Sequence, residues 1–340
     1  LPQHPNRLTA SILVAGMLAV LMFAVGCSKS PISTAPKTIE PATAAVSPPT
    51  QARPAGEVRP LSGQPQAAVF DAATGSLVVF TPGADANLTV FDRSEKPRTV
   101  RLPAPATAVA AGGGSAYAAT RGGFVTVDLA TGTATRTTVE GEQNTDFTAI
   151  ARRADGRLVL GSADGAALTL TASNTVGGKT DVFARVDAIV AQGDTAIVLD
   201  RGQTSVTELG ANGGARLALR AGLGATTIAA DPMGRVLVAD TRGGQLLVFG
   251  VDPLIQRQSY PVGGAPYGIT GSKNLVWVSL TGSNTVVGYD LGTGIPVEKV
   301  RYPTVQQPNA LAFDDTTGTL YVVSATGAGV QVIRNAGGAP

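Results

Sequence analysis

Histidine and cysteine each occur once in this chain, as His4 and Cys27, both close to its start. Everything downstream lacks the residues for a Ser-His-Asp triad, a histidine zinc site or a histidine general base. A thiolate metal site and a disulfide framework are excluded too, because each needs a second cysteine. Charge of one sign is also missing. With Arg7 removed as part of an export signal, 25 basic residues face 24 acidic ones. A nucleic-acid binder would show a basic excess, so that partner class is not expected. Helix-favouring patterning is scarce, whereas glycine is abundant at 42 residues. That balance points to strands and turns.

What is present near the start is a basic residue, Arg7, an apolar run from Ile12 to Val25, and the sequence Ala24-Val25-Gly26-Cys27. These are the parts of an export signal ending in a lipobox: residues 1–26 are removed, and the Cys27 thiol takes a diacylglycerol. An uncleaved anchor would want roughly 20 apolar residues, and an unmodified buried cysteine is the other alternative. Lipid contributes about 0.8 kcal/mol per buried methylene, so two or three acyl chains hold a protein stably. The expected location is the extracytoplasmic face of the cell membrane, with the membrane as partner through this lipid.

Residues 27–56 are rich in Pro, Ser, Thr and Ala, with prolines at 31, 36, 41, 48, 49 and 54. Such a composition buries too little apolar surface to fold by itself, and a disordered tether is expected.

From residue 57 to about 335 the chain repeats. One aliphatic residue recurs about every 40 residues: Val69, Val109, Ile150, Ile189, Ile228, Ile269 and Leu311. Periods of this length mark propeller blades. The residue before each is small (Ala68, Ala108, Ala149, Ala188, Thr227, Gly268, Ala310), as strands crowded around a central axis require. Nearly continuous apolar runs follow, such as Ala196-Ile197-Val198-Leu199 and Leu275-Val276-Trp277-Val278, which read as strands covered on both faces. The last unit has no fourth strand of its own, and Glu57-Val58-Arg59-Pro60-Leu61 matches the missing piece. The expectation is an all-β, seven-bladed propeller of four-stranded antiparallel blades, its last blade closed by an N-terminal strand.

Ser283-Asn284-Thr285-Val286-Val287-Gly288-Tyr289-Asp290, with Trp277-Val278-Ser279 before it, resembles the repeat of YVTN- and NHL-type propellers. Leu320-Tyr321-Val322-Val323-Ser324 is similar. From lipobox to C-terminus the chain also resembles mycobacterial envelope lipoproteins of the LppL type, in stretches such as Thr148-Ala149-Ile150-Ala151-Arg152-Arg153 and Val300-Arg301-Tyr302-Pro303. That resemblance implies a lipid-held propeller and brings no assigned activity. One tryptophan, Trp277, is too few for the repeated tryptophan docking in which quinone-cofactor propellers resemble one another. No cofactor and no catalytic residues are expected.

Other motifs are weak. Gly178-Lys179-Thr180 imitates the end of a P-loop, but Ser173 replaces the first glycine, and a loop is expected there. Asn87-Leu88-Thr89 is a formal glycosylation sequon, read here as a stretch between strands.

Blade geometry groups the turns between second and third strands with the connections between blades on one face. Arg121, Arg201 and Arg242 sit in three such turns. Two residues before each aliphatic anchor stand Ala67, Thr107, Thr148, Asp187, Thr226, Tyr267 and Asn309, a largely polar ring at the channel mouth. Ring and arginines together form the candidate binding face, for an envelope glycan, a lipid headgroup or a protein partner. The bland alternative is that turn arginines are solvated and the threonines locally satisfied. A metal-dependent hydrolase or lactonase is the competing class, with Asp187, Asn309 and Asp146 as the oxygen ligands available. The closing strand runs toward the arginine face, so the tether is expected to approach from the opposite one.

Overall fold

A computed structural model of the chain describes residues 37–93 and 96–338. Cys27, the signal segment and the start of the tether lie outside the described residues. Every regular element in the described part is a strand, and the strands form seven four-stranded antiparallel sheets. In chain order the blades occupy residues 67–101, 106–138, 147–181, 188–220, 225–261, 266–303 and 308–333. Glu57–Arg59 pairs with Val330–Ile333, setting Val58 opposite Gln331, and so supplies the fourth strand of the last blade. This is the architecture the repeat predicts.

The apolar runs follow from the way blades stack. Successive side chains of a strand point to opposite faces, and each face of a blade meets a different neighbour. Along Ser76–Thr81, Leu77 and Val79 enter the core shared with the last blade, while Val78 and Phe80 enter the core shared with the second. Ala196 and Val198 likewise pack toward the third blade, and Ile197 and Leu199 toward the fifth. A second strand therefore has no solvent face and no polar alternation. Burying each of the valine, leucine, isoleucine and phenylalanine side chains is worth about 1.5–3 kcal/mol, spread over seven inter-blade cores rather than one centre.

Three local expectations change. Gly178-Lys179-Thr180 lies on the outer strand Val176–Asp181, not in a loop, because the outermost strand of a blade tolerates glycine and polar residues on its exposed side. Asn87-Leu88-Thr89 is part of the strand Asn87–Phe91, with Leu88 buried in an inter-blade core. The third change concerns the tether. Residues 37–54 form no strand, yet Ala42 and Ser47 are buried, and the segment lies against the face that bears the arginine turns. Its prolines forbid a ladder but also fix φ, so little backbone entropy is lost on ordering. From there it passes down the flank to the closing strand: Ala55 N–H donates to the Pro303 carbonyl at 3.1 Å, and Gln331 Nε2 donates to the Ala55 carbonyl at 2.8 Å. The closing strand does begin away from the arginine face, but the chain feeding it comes from that face.

Candidate functional site: a strapped rim above a central channel

The first strand of each blade lines a central channel of about 650 Å³, within the size range of ligand pockets. All seven aliphatic anchors line it, interspersed with polar groups. Arg201, Asp187, Thr107 and Thr148 are among its polar lining residues, together with Arg152 and Asp315.

The polar ring has a specific structural origin. Strand pairing shifts register between Ala106 and Ala108, Phe147 and Ala149, Ala225 and Thr227, Pro266 and Ile269, and Pro308 and Ala310. Thr107, Thr148, Thr226, Tyr267 and Asn309 fall in these gaps, released from the ladder as bulge residues are. The threonine hydroxyls are then used between blades. Thr107 Oγ1 donates to the Phe147 carbonyl of the next blade at 2.6 Å, and Thr148 Oγ1 donates to the Val186 carbonyl at 2.5 Å. Thr227 does the same toward the Tyr267 carbonyl. Thr226 shares a hydrogen bond with Thr241 at 2.6 Å, and Asn309 Oδ1 accepts from Gln307 Nε2 at 3.0 Å. Most of the ring thus ties blades or turns together.

The three arginines divide. Arg121 Nη1 is 2.7 Å from Asp146 Oδ1 in an exposed ion pair. Arg201 Nη2 donates to the Ala42 carbonyl, and Arg242 Nη2 donates to the Glu40 carbonyl at 2.6 Å. Two of the three predicted rim cations therefore hold the chain's own N-terminal segment. That segment, residues 38–48, is a strap from the fourth blade to the last.

The residues that position the rim but escape a reading of the sequence are Asp200 and Asp240. Each ends a second strand and is fully buried. Asp240 accepts from Leu223 N–H at 2.9 Å, Gly224 N–H at 2.8 Å and Gly243 N–H at 2.9 Å, joining its own turn to the connection from the preceding blade. Asp200 accepts from Ala184, Arg185 and Gln203 N–H groups in the same way. The available signal was an Asp directly before each arginine turn or one residue removed, in Asp200-Arg201 and Asp240-Thr241-Arg242.

Asp187 is the one ring carboxylate. It accepts from Arg201 N–H at 2.7 Å and pairs with Arg185 at 3.2 Å. Burial nevertheless holds its carboxyl above the usual carboxylate range, outweighing the lowering by the Arg201 N–H and the two guanidinium charges. The folded state thus binds this proton more tightly than the unfolded chain does. The resulting stability is present below the unfolded carboxyl pKa and lost as pH rises through the raised folded pKa. Asp187→Asn retains the acceptor for Arg201 N–H without the charge. It is expected to raise the melting temperature at pH 7 by about 1–3 °C and to leave it unchanged near pH 3; a lower melting temperature at pH 7 would reverse the sign of the burial argument.

Among the described residues no three His, Cys, Asp or Glu side chains come together as a metal-holding group. Asp146, Asp187 and Asn309 are each paired as above rather than aimed at one point.

Fold and site together define a seven-bladed β-propeller with a strapped rim. No protein-family model matches the sequence, and no curated protein is similar to it. Solved structures show the same fold at low identity. A streptogramin B lyase is 14% identical, with a TM-score of 0.68 over 82% of this chain and 97% of that one. The WD40 repeats of RRP9 are 15% identical, with a TM-score of 0.67 over 84% and 99%. A catalytically inactive histidine-to-alanine variant of virginiamycin B lyase from Staphylococcus aureus, with quinupristin, is 11% identical, with a TM-score of 0.66 over 81% and 97%.

Proposed function

We propose that the protein is a lipid-anchored propeller of the cell envelope that binds a partner on its strapped rim and carries out no chemistry of its own. The observation that carries this reading is the use made of the rim. Its donors are spent on polypeptide backbone, from Arg201, Arg242, Asn284, Gln306 and Gln307 to the strap, rather than gathered around a reactive centre. A glycan or anionic headgroup at Arg201 and Arg242 would have to displace those bonds, so a protein partner is favoured. The lyase-like neighbours supply the enzyme alternative. One of them is catalytically inactive once a histidine is replaced, and the sole histidine here, His4, precedes the propeller. Anchoring rests on the Ala24-Val25-Gly26-Cys27 sequence and on the resemblance to envelope lipoproteins.

The anchor is tested with metabolically supplied, labelled palmitate. The wild-type protein is expected in the membrane fraction with label, and Cys27→Ala is expected to lose the label and leave the membrane fraction or remain unprocessed. Unaltered labelling of the variant would overturn the reading.

A further inference from the structure

The strap is bound the way a peptide ligand is bound. Between Ile39 and Pro48 its backbone is met at seven places by groups of the rim. Ile39 N–H donates to the Gly202 carbonyl at 2.8 Å. The carbonyls of Glu40 and Ala42 accept from Arg242 and Arg201. Those of Ala45, Ser47 and Pro48 accept from Gln307 at 2.9 Å, Gln306 at 3.2 Å and Asn284 at 2.7 Å. Ser47 N–H in turn donates to Gln307 Oε1 at 2.9 Å.

This pattern suits one chemical class. A proline-rich extended chain offers carbonyls with few N–H groups, and this rim offers side-chain donors to five carbonyls while accepting from two backbone N–H groups. Such chains also lose little entropy on binding, because proline already restricts them. The contact surface selects small side chains as well. A Cβ at Gly224 would lie 3.0 Å from the Ala42 Cβ, and one at Gly202 would lie 3.2 Å from Thr38 Cγ2, so the strap rests directly on glycine backbone. Ala42 and Ser47 are the buried side chains of the segment, whereas Val46 is 90% exposed.

We infer that the rim of blades four to seven is a peptide-binding surface for an extended partner segment rich in proline, alanine and hydroxyl residues, with residues 38–48 as its intramolecular occupant. The inference deepens the binding-module reading by naming the partner class. An occupant joined to the same chain acts at an effective concentration on the order of millimolar. A free segment of equal intrinsic strength is therefore held off until the strap is displaced.

The experiment uses full-length protein in detergent and a fluorescent synthetic peptide with the sequence Lys37 to Pro49. Ala42→Tyr with Ser47→Tyr disarms the strap without touching any sheet. Amide exchange at Ile39 and Ser47 is expected to accelerate in this variant, and the peptide is expected to bind it at least tenfold more tightly than it binds the wild type. Adding Arg201→Ala, Arg242→Ala and Gln307→Ala should abolish that binding with the melting transition still cooperative. A peptide carrying tyrosine at the Ala42 position should not bind. Unchanged exchange, peptide affinity no greater than for wild type, or equal binding of the tyrosine peptide would each overturn the inference. Palmitate labelling at Cys27 is read separately, so failure here leaves the anchor untouched.

Discussion

Trp277→Ala is expected to destabilise the propeller by about 3–5 kcal/mol, the cost of emptying a large aromatic site in a core that relaxes only in part. Trp277 is completely buried in the core between the sixth and last blades. Its indole stacks against Phe313 at 5.9 Å and Tyr302 at 6.4 Å, between ring centroids. Gly288 provides the room, since a Cβ there would come within 2.9 Å of the indole. The site adjoins the blade completed by Glu57–Arg59, so its loss weakens the seam at which the ring closes. Trp277→Phe separates volume from polarity. The indole Nε1 has no hydrogen-bond partner among the described residues, so phenylalanine loses packing but no bond, and a cost of about 1–2 kcal/mol is expected. Denaturant unfolding followed by circular dichroism measures both. Equal losses for the two variants would show that something other than ring volume holds the seam.

Asp240→Ala should cost on the order of 4 kcal/mol, for a different reason. The buried carboxylate accepts three backbone N–H groups, and removing it leaves those donors in a space where water replaces them poorly. Gly222 and Gly243 are fitted around it, each with a would-be Cβ 1.9 Å from Oδ2. Alanine therefore leaves a hole as well as orphaned donors. Asp240→Asn, with one oxygen retained and an amide nitrogen facing N–H groups, is expected to fall about halfway. The turn held by Asp240 carries Arg242, and the connection it holds carries Gly224; both touch the strap. Amide exchange at Ile39 is accordingly expected to rise in Asp240→Ala even under conditions where the sheets stay protected. Stability within 1 kcal/mol of wild type would rule out the three-donor account.

How much could be read in advance differs from feature to feature. The anchors from Val69 to Leu311 and the apolar second strands identified seven blades, because each blade must present two covered faces and the same small-then-aliphatic pair at the axis. Thr107 and Thr148 line the channel, and Asn309 falls at a register shift in the first strand of the last blade. Their partners were not legible, since a bulge depends on how two strands settle in register and the acceptor carbonyls lie a full blade away. The role of Asp200 and Asp240 was not legible, because two of the three N–H groups each collects come from the preceding connection.

By itself, then, the sequence determined the repeat, the number of blades, the closing strand and the confinement of histidine and cysteine to the first 27 residues. These depend on periodicity and on residue types, which are local properties. The tertiary structure alone decided that the proline-rich segment is a strap, because its composition gives no apolar surface to fold on. What orders it is a set of donors from Arg201, Arg242, Asn284, Gln306 and Gln307 that only the assembled ring brings side by side. The same assembly turned two arginines that read as a ligand site into the clasp for residues 38–48.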